Sequence, residues 1–83
     1  MHYVYVLRSL KDKNFYVGRT GNLETRIDEH NNGRVESTRE RRPLNLVYYE
    51  ASLNIKDADH REKYLKTAWG KRYLKHRLKN DYA

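Results

Sequence analysis

A single α+β domain is the fold this sequence predicts: a three-stranded antiparallel or mixed β-sheet with flanking helices, in the order β-β-α-β-α-α. Three observations lead to it. Residues 2–7 (HYVYVL), 14–19 (NFYVGR) and 44–50 (LNLVYYE) are rich in β-branched and aromatic side chains, as strands are. Asn22 and Asn54 each precede a stretch of helical spacing, where an asparagine side chain can accept from the first free amides. No internal repeat, linker or low-complexity run divides the 83 residues, so one domain spans 1–83.

Each element follows from local chemistry. Residues 2–7 read as a strand buried on at least part of both faces. The turn formers at 9–14 (SLKDKN) separate it from the second run at hairpin spacing, and Gly18-Arg-Thr-Gly ends that run. A first helix is expected from Leu23 to Asn31 or Asn32, closed by Gly33, with Leu23, Ile27 and His30 on one face. A polar loop with four arginines at 34, 39, 41 and 42 leads to the third strand. Residues 55–67 and 70–79 predict two further helices, or two halves of one element kinked at Trp69-Gly70.

Composition narrows the class. With no cysteine, neither a disulfide nor a thiolate metal site is available, which fits a reducing cytoplasm. No apolar run approaches membrane-spanning length and no signal-peptide pattern is present, so a cytoplasmic location away from membranes is expected. Leu, Ile, Val and Phe make up only about a fifth of the chain, but eight tyrosines and one tryptophan can fill a small core. The net charge of +7 favours a polyanion, nucleic acid above all, over a merely basic surface. Other chemistry finds little support: the phosphate-cradling G-x-x-x-x-G-K-[ST] spacing is missing, the four histidines are scattered, and no serine stands in a glycine elbow.

Charges that interrupt apolar patterns are the informative ones. Ala58, Leu65 and Trp69 form a stripe whose missing step is Glu62. A carboxylate there needs either an ion pair, to Arg26 or a neighbouring lysine, or a divalent cation as partner. Arg26 sits beside the Leu23–Ile27 face, able to pair with Asp28 or Glu29 or to present its planar fork to a phosphate. Tyr5 and Tyr16 share a sheet face if paired hairpin residues sum to an odd number, such as Tyr5 with Gly18; an even sum separates them. On a shared face they flank Gly18, where a phosphodiester could come close.

Tyr3-Val4-Tyr5, then ten residues, then Tyr16-Val17-Gly18 resembles the paired motif of the GIY-YIG nuclease superfamily. Arg26 in LETRIDEH and Glu62 in REKYLK follow in the family's order, and EHNNG with a basic loop and LVYYE resembles its small stand-alone bacterial members. The likeness covers nearly the whole chain. It implies that Tyr5 and Tyr16 line an active site, with Tyr5 as base for the attacking water and Tyr16 as a positioning group. Arg26 would stabilise the phosphate and Glu62 would hold one divalent metal ion, Mg²⁺ or Mn²⁺. Nearby Arg26, Arg19 and the metal would have to lower the phenol pKa from its ordinary value of about 10. Tyr3 replaces the first glycine of the family name, and Asn80 is the one asparagine after Glu62.

The leading expectation is thus a metal-dependent endonuclease acting on nucleic acid, DNA before RNA, with a targeting protein or self-association as a source of specificity. Expected nucleic-acid contacts are Arg19, His30, Arg34, Arg39, Arg41, Arg42, Lys66, Lys71 and Arg72. His30 reads first as a structural histidine, with phosphate contact and proton transfer as the other readings. The alternatives are a nucleic-acid-binding module of the same fold without turnover, and a basic protein-interaction domain.

Overall fold

The computed structural model describes residues 1–82, with side chains through Asn80. Strands β1 (His2–Ser9), β2 (Phe15–Thr20) and β3 (Leu44–Ser52) form a wholly antiparallel sheet in the order β2-β1-β3. The helices are α1 (Leu23–Asn31), α2 (Ile55–Leu65), α3 (Ala68–Arg77) and a short α4 (Lys79–Tyr82). The predicted order holds, and the arginine loop contains a 3₁₀ turn at Glu36–Arg41.

The hairpin is set by its turn. Ser9 Oγ accepts from the amides of Lys11 and Asp12 and donates to the Arg41 carbonyl at 2.6 Å. The Arg41 guanidinium donates to Asp12 at 2.7 Å and to the carbonyls of Asn14 and Phe15, tying the 3₁₀ turn to the hairpin. Beside that guanidinium the Asp12 carboxyl falls to about 2. In the resulting register Tyr5 faces Gly18 and Leu7 faces Tyr16, so both tyrosines project from one side of the sheet.

The two faces carry separate cores. On one, Tyr5, Leu7 and Leu44 are buried with Tyr16, Leu23 and Ile27 packed against them, so α1 covers this side. On the other, Val4, Val6 and Val17 meet Ala58, Leu65, Leu74 and Leu78 from α2 and α3. Each fully buried aliphatic side chain contributes about 1.5–3 kcal/mol. The register shift between Val6 and Leu7 leaves Val47 as the extra residue of β3, which keeps Leu44 and Leu46 on Leu7's side.

Both predicted asparagine caps form: Asn22 accepts from the Thr25 amide and Asn54 from the Lys56 amide. Gly33, at φ +75°, ends the α1 segment as expected. The helical stripe through Trp69 does not form. α2 stops at Leu65, and Thr67 starts a new helix by accepting from the Gly70 amide at 3.1 Å. That break resets the helical phase, leaving Trp69 67 % exposed. Gly70 takes the buried position, where a Cβ would strike the Tyr64 carbonyl and the Leu65 backbone.

Candidate active site

β2 is an edge strand, and the site straddles it. From the α1 side come Tyr5, Tyr16, Arg26 and His30; from the α2 side come Arg19 and Glu62. Tyr5 lies at the centre. Its ring, only 1 % exposed, crosses over Gly18, where a Cβ would fall on the phenol itself. Gly18 therefore makes room for Tyr5, a role that the sequence reading did not give it. Gly18→Ala forces overlap with a ring that has no space to retreat, and should cost about 1–3 kcal/mol of stability. Urea denaturation of the two proteins measures it.

Behind the phenol is a buried polar chain. Tyr5 Oη lies 2.8 Å from His30 Nε2, and His30 Nδ1 lies 2.7 Å from Thr38 Oγ1, with His30 and Thr38 both fully buried. Both ring nitrogens are therefore paired. The structural reading of His30 holds: the α1 face that carries Leu23 and Ile27 takes it into the interior, so it is not the nucleic-acid contact also expected of it. Thr38 was missed, because nothing in a polar loop marks the one hydroxyl that turns inward. The spacing of His30 on the apolar face was the available signal.

Burial, and then the Arg26 charge, hold the His30 imidazole down to about 4, against a smaller upward pull from Glu29. A group whose folded pKa is depressed releases a proton on folding, so its contribution is present above the ordinary histidine value of about 6.5. That stability, about 3 kcal/mol in total, is lost as the pH falls from there towards 4. Urea unfolding across this window should show stability rising with pH in the wild type and a flatter slope in His30→Gln.

Arg26 donates to Glu29 at 3.2 Å, which is the ion-paired reading of this residue, and it lies close enough to the Tyr5 phenol to pull on its proton. Tyr5, Tyr16 and Arg26 thus stand together on the α1 side, whereas Glu62 lies on the α2 side with Arg19 and Lys66. The Tyr16 ring stands 5.1 Å from that of His30 and 6.5 Å from that of Tyr5. Burial raises the Tyr5 pKa, outweighing the pull of Arg26, so the phenol is protonated at neutral pH. The expected lowering by neighbouring cations does not prevail.

Glu62 is 17 % exposed at its side chain and paired with Arg19 at 3.4 Å and Lys66 at 3.0 Å. A neighbouring lysine was expected here, but Arg19 takes the place considered for Arg26. Arg19 alternates to the α2 side of β2, opposite Val4, and reaches Asp59 as well as Glu62. Lys66 and Lys71 line a cleft of about 260 Å³ with Phe15, Tyr16 and Val17, so they adjoin the site. Arg39 and Arg42 are exposed but hold the loop through the carbonyls of Gly33 and Arg39. Arg34 and Arg72 are exposed, and Asn80 is exposed on α4.

Among the described residues no group of three or more His, Cys, Asp or Glu side chains gathers around a point. Among the same residues no helix is long and apolar enough to cross a membrane.

The chain is similar to known proteins. A UPF0213 protein of Clostridium perfringens is 49% identical over 67 residues, covering 80% of this chain and 71% of that protein. A UPF0213 protein of Staphylococcus haemolyticus is 43% identical over 67 residues, with 80% of each chain covered. The solution NMR structure of a UPF0213 protein from Bacillus halodurans matches with a TM-score of 0.55 and 34% identity, covering 88% of this chain and 80% of that one. The family model described as the GIY-YIG catalytic domain matches residues 1–78, and the chain accordingly belongs to the GIY-YIG family, alongside the small UPF0213 proteins.

Proposed function

We propose that this protein is a divalent-metal-dependent endonuclease that hydrolyses phosphodiester bonds of DNA at the rim of β2. One observation carries the reading: the buried Tyr5 phenol is paired with His30 Nε2 at 2.8 Å, its ring 6.5 Å from that of Tyr16, with Arg26 near enough to pull on its proton.

The reaction uses the proton arrangement in which His30 Nδ1 donates to Thr38 and Nε2 accepts from Tyr5. Water gives its proton to the Tyr5 oxygen as the phenol proton passes to Nε2. Because burial holds that imidazole down to about 4, the proton is released to solvent once the bond to phosphorus has formed. The water oxygen bonds to phosphorus, and the bond from phosphorus to the leaving oxygen breaks; that oxygen takes a proton from solvent. A buried phenol need not ionise in advance, because its own proton has an acceptor 2.8 Å away. Arg26, held by Glu29 beside the phenol, supplies charge for the phosphate in the transition state. Tyr16 closes the side of the site next to His30 and limits water access.

The donor set fits a hard cation at Glu62. A single partly exposed carboxylate suits Mg²⁺ or Mn²⁺, which keep several waters and take further oxygens from the substrate phosphate. When bound, the ion supplies Lewis-acid stabilisation of the phosphate. Glu62 would exchange its contacts with Lys66 and Arg19 for the ion, freeing both cations for the DNA backbone.

The same two ion pairs favour a second reading, a nucleic-acid-binding module without turnover, since both Glu62 oxygens already have partners. Metal-dependent nicking of supercoiled plasmid separates the two: the enzyme nicks and loses nicking in Glu62→Gln, whereas the module only binds.

A further inference from the structure

We infer that the exposed face of α3 is a stacking platform for single-stranded DNA, centred on Trp69. The inference rests on the nuclease reading for its substrate class. A 67 % exposed tryptophan is an unusual expense of apolar surface in so polar a chain, and it is the chain's one tryptophan. The Arg72 guanidinium lies 4.7 Å from the centre of its ring, and Tyr73, a turn further on, is 36 % exposed. A guanidinium laid on an indole forms a stack that a flat nucleobase can extend.

The surroundings choose between a base and a protein. Between residues 63 and 80 the chain carries seven Lys or Arg and no acid. The core of a protein interface is depleted in charge, whereas a groove for single-stranded nucleic acid combines cations for the backbone with rings for the bases. Going round α3, Lys71 and Lys75 come first, then Arg72, then Trp69 and Tyr73. Lys71 and Lys75 line a cleft of about 500 Å³ with Phe15, Asn14 and the Arg41–Asp12 pair, and Lys71 also lines the smaller cleft walled by Tyr16. The cationic surface thus runs from the edge of the candidate active site to the exposed indole. A strand whose phosphates follow the lysines brings its unpaired bases onto Trp69.

Trp69 is its own reporter. Titrating the metal-free protein with an oligothymidylate of roughly 15 nucleotides should quench tryptophan emission saturably and in a salt-sensitive way. By anisotropy of a labelled oligonucleotide, Trp69→Ala should bind about tenfold or more weakly, with Trp69→Phe closer to wild type. Because Trp69 is so exposed, neither change threatens the core.

Binding without a change in emission, equal affinity of Trp69→Ala, or equal affinity for a duplex of the same length would overturn the platform. Tighter binding of an oligouridylate would overturn the choice of DNA. Chelation keeps this readout independent of cleavage: quenching without plasmid nicking retains the platform and loses the nuclease, and nicking without quenching does the reverse.

Discussion

Tyr5→Phe should lower metal-dependent cleavage by about 10²–10⁴-fold while leaving the fold in place. The ring, not the hydroxyl, fills the space over Gly18 and packs with Leu7 and Leu44, and phenylalanine keeps it. The hydroxyl is what joins the site to His30 Nε2, with Arg26 near enough to pull on its proton. Its loss leaves a buried ring nitrogen without a partner, at about 1–3 kcal/mol in stability. Single-turnover cleavage beside urea denaturation separates the two effects. A Tyr5→Phe protein that is mildly less stable and still cleaves at the wild-type rate would remove Tyr5 from the reaction. DNA affinity should hardly change, because a phenol this buried adds no charge to the binding surface.

Much of this architecture was written in local chemistry. The asparagine caps, the left-handed glycine at 33 and the hairpin turn at Ser9 act over a few residues, so they were legible. Placing Leu23, Ile27 and His30 on one face was equally local, and it foretold that His30 turns inward without naming its partners. The hairpin register, decisive for putting Tyr5 and Tyr16 on one side, stayed open because pairing depends on the turn as built. Trp69 was misread for a definite reason. A stripe at 58, 62, 65 and 69 assumes one unbroken helix, whereas the Thr67 cap starts a second one and rotates residue 69 into solvent.

The site was legible as a set of residues but not as a network. Tyr5, Tyr16, Arg26 and Glu62 were singled out by motif order and by charges in apolar patterns; Tyr16 stands beside Tyr5, while Glu62 faces Arg19 and Lys66. Thr38, which fixes the far side of His30, is distant in sequence and ordinary in type. Gly18 was assigned to the substrate because a glycine beside tyrosines admits any close approach; it also admits the Tyr5 ring. Several loop arginines expected at DNA also hold backbone carbonyls, a role that charge counting does not distinguish from a free surface.

The second large effect falls on Glu62, and it bears on the central claim. Glu62→Gln keeps the size of the side chain but removes the charge that pairs with Arg19 and Lys66 and suits a hard cation. At a side chain near the surface the pairs themselves matter little to stability, so the variant should fold. Loss of a metal contribution worth several kcal/mol corresponds to at least about a hundredfold in rate. DNA affinity should hold or rise slightly, because the surface gains positive charge. The direct measurement is nicking of supercoiled plasmid by wild type and Glu62→Gln, each with Mg²⁺, with Mn²⁺ and with chelator. The nuclease reading predicts nicking by wild type with either metal, none with chelator, and at least a hundredfold less from a folded, DNA-binding Glu62→Gln. Equal nicking by the two proteins, or none by wild type under any of these conditions, would contradict it.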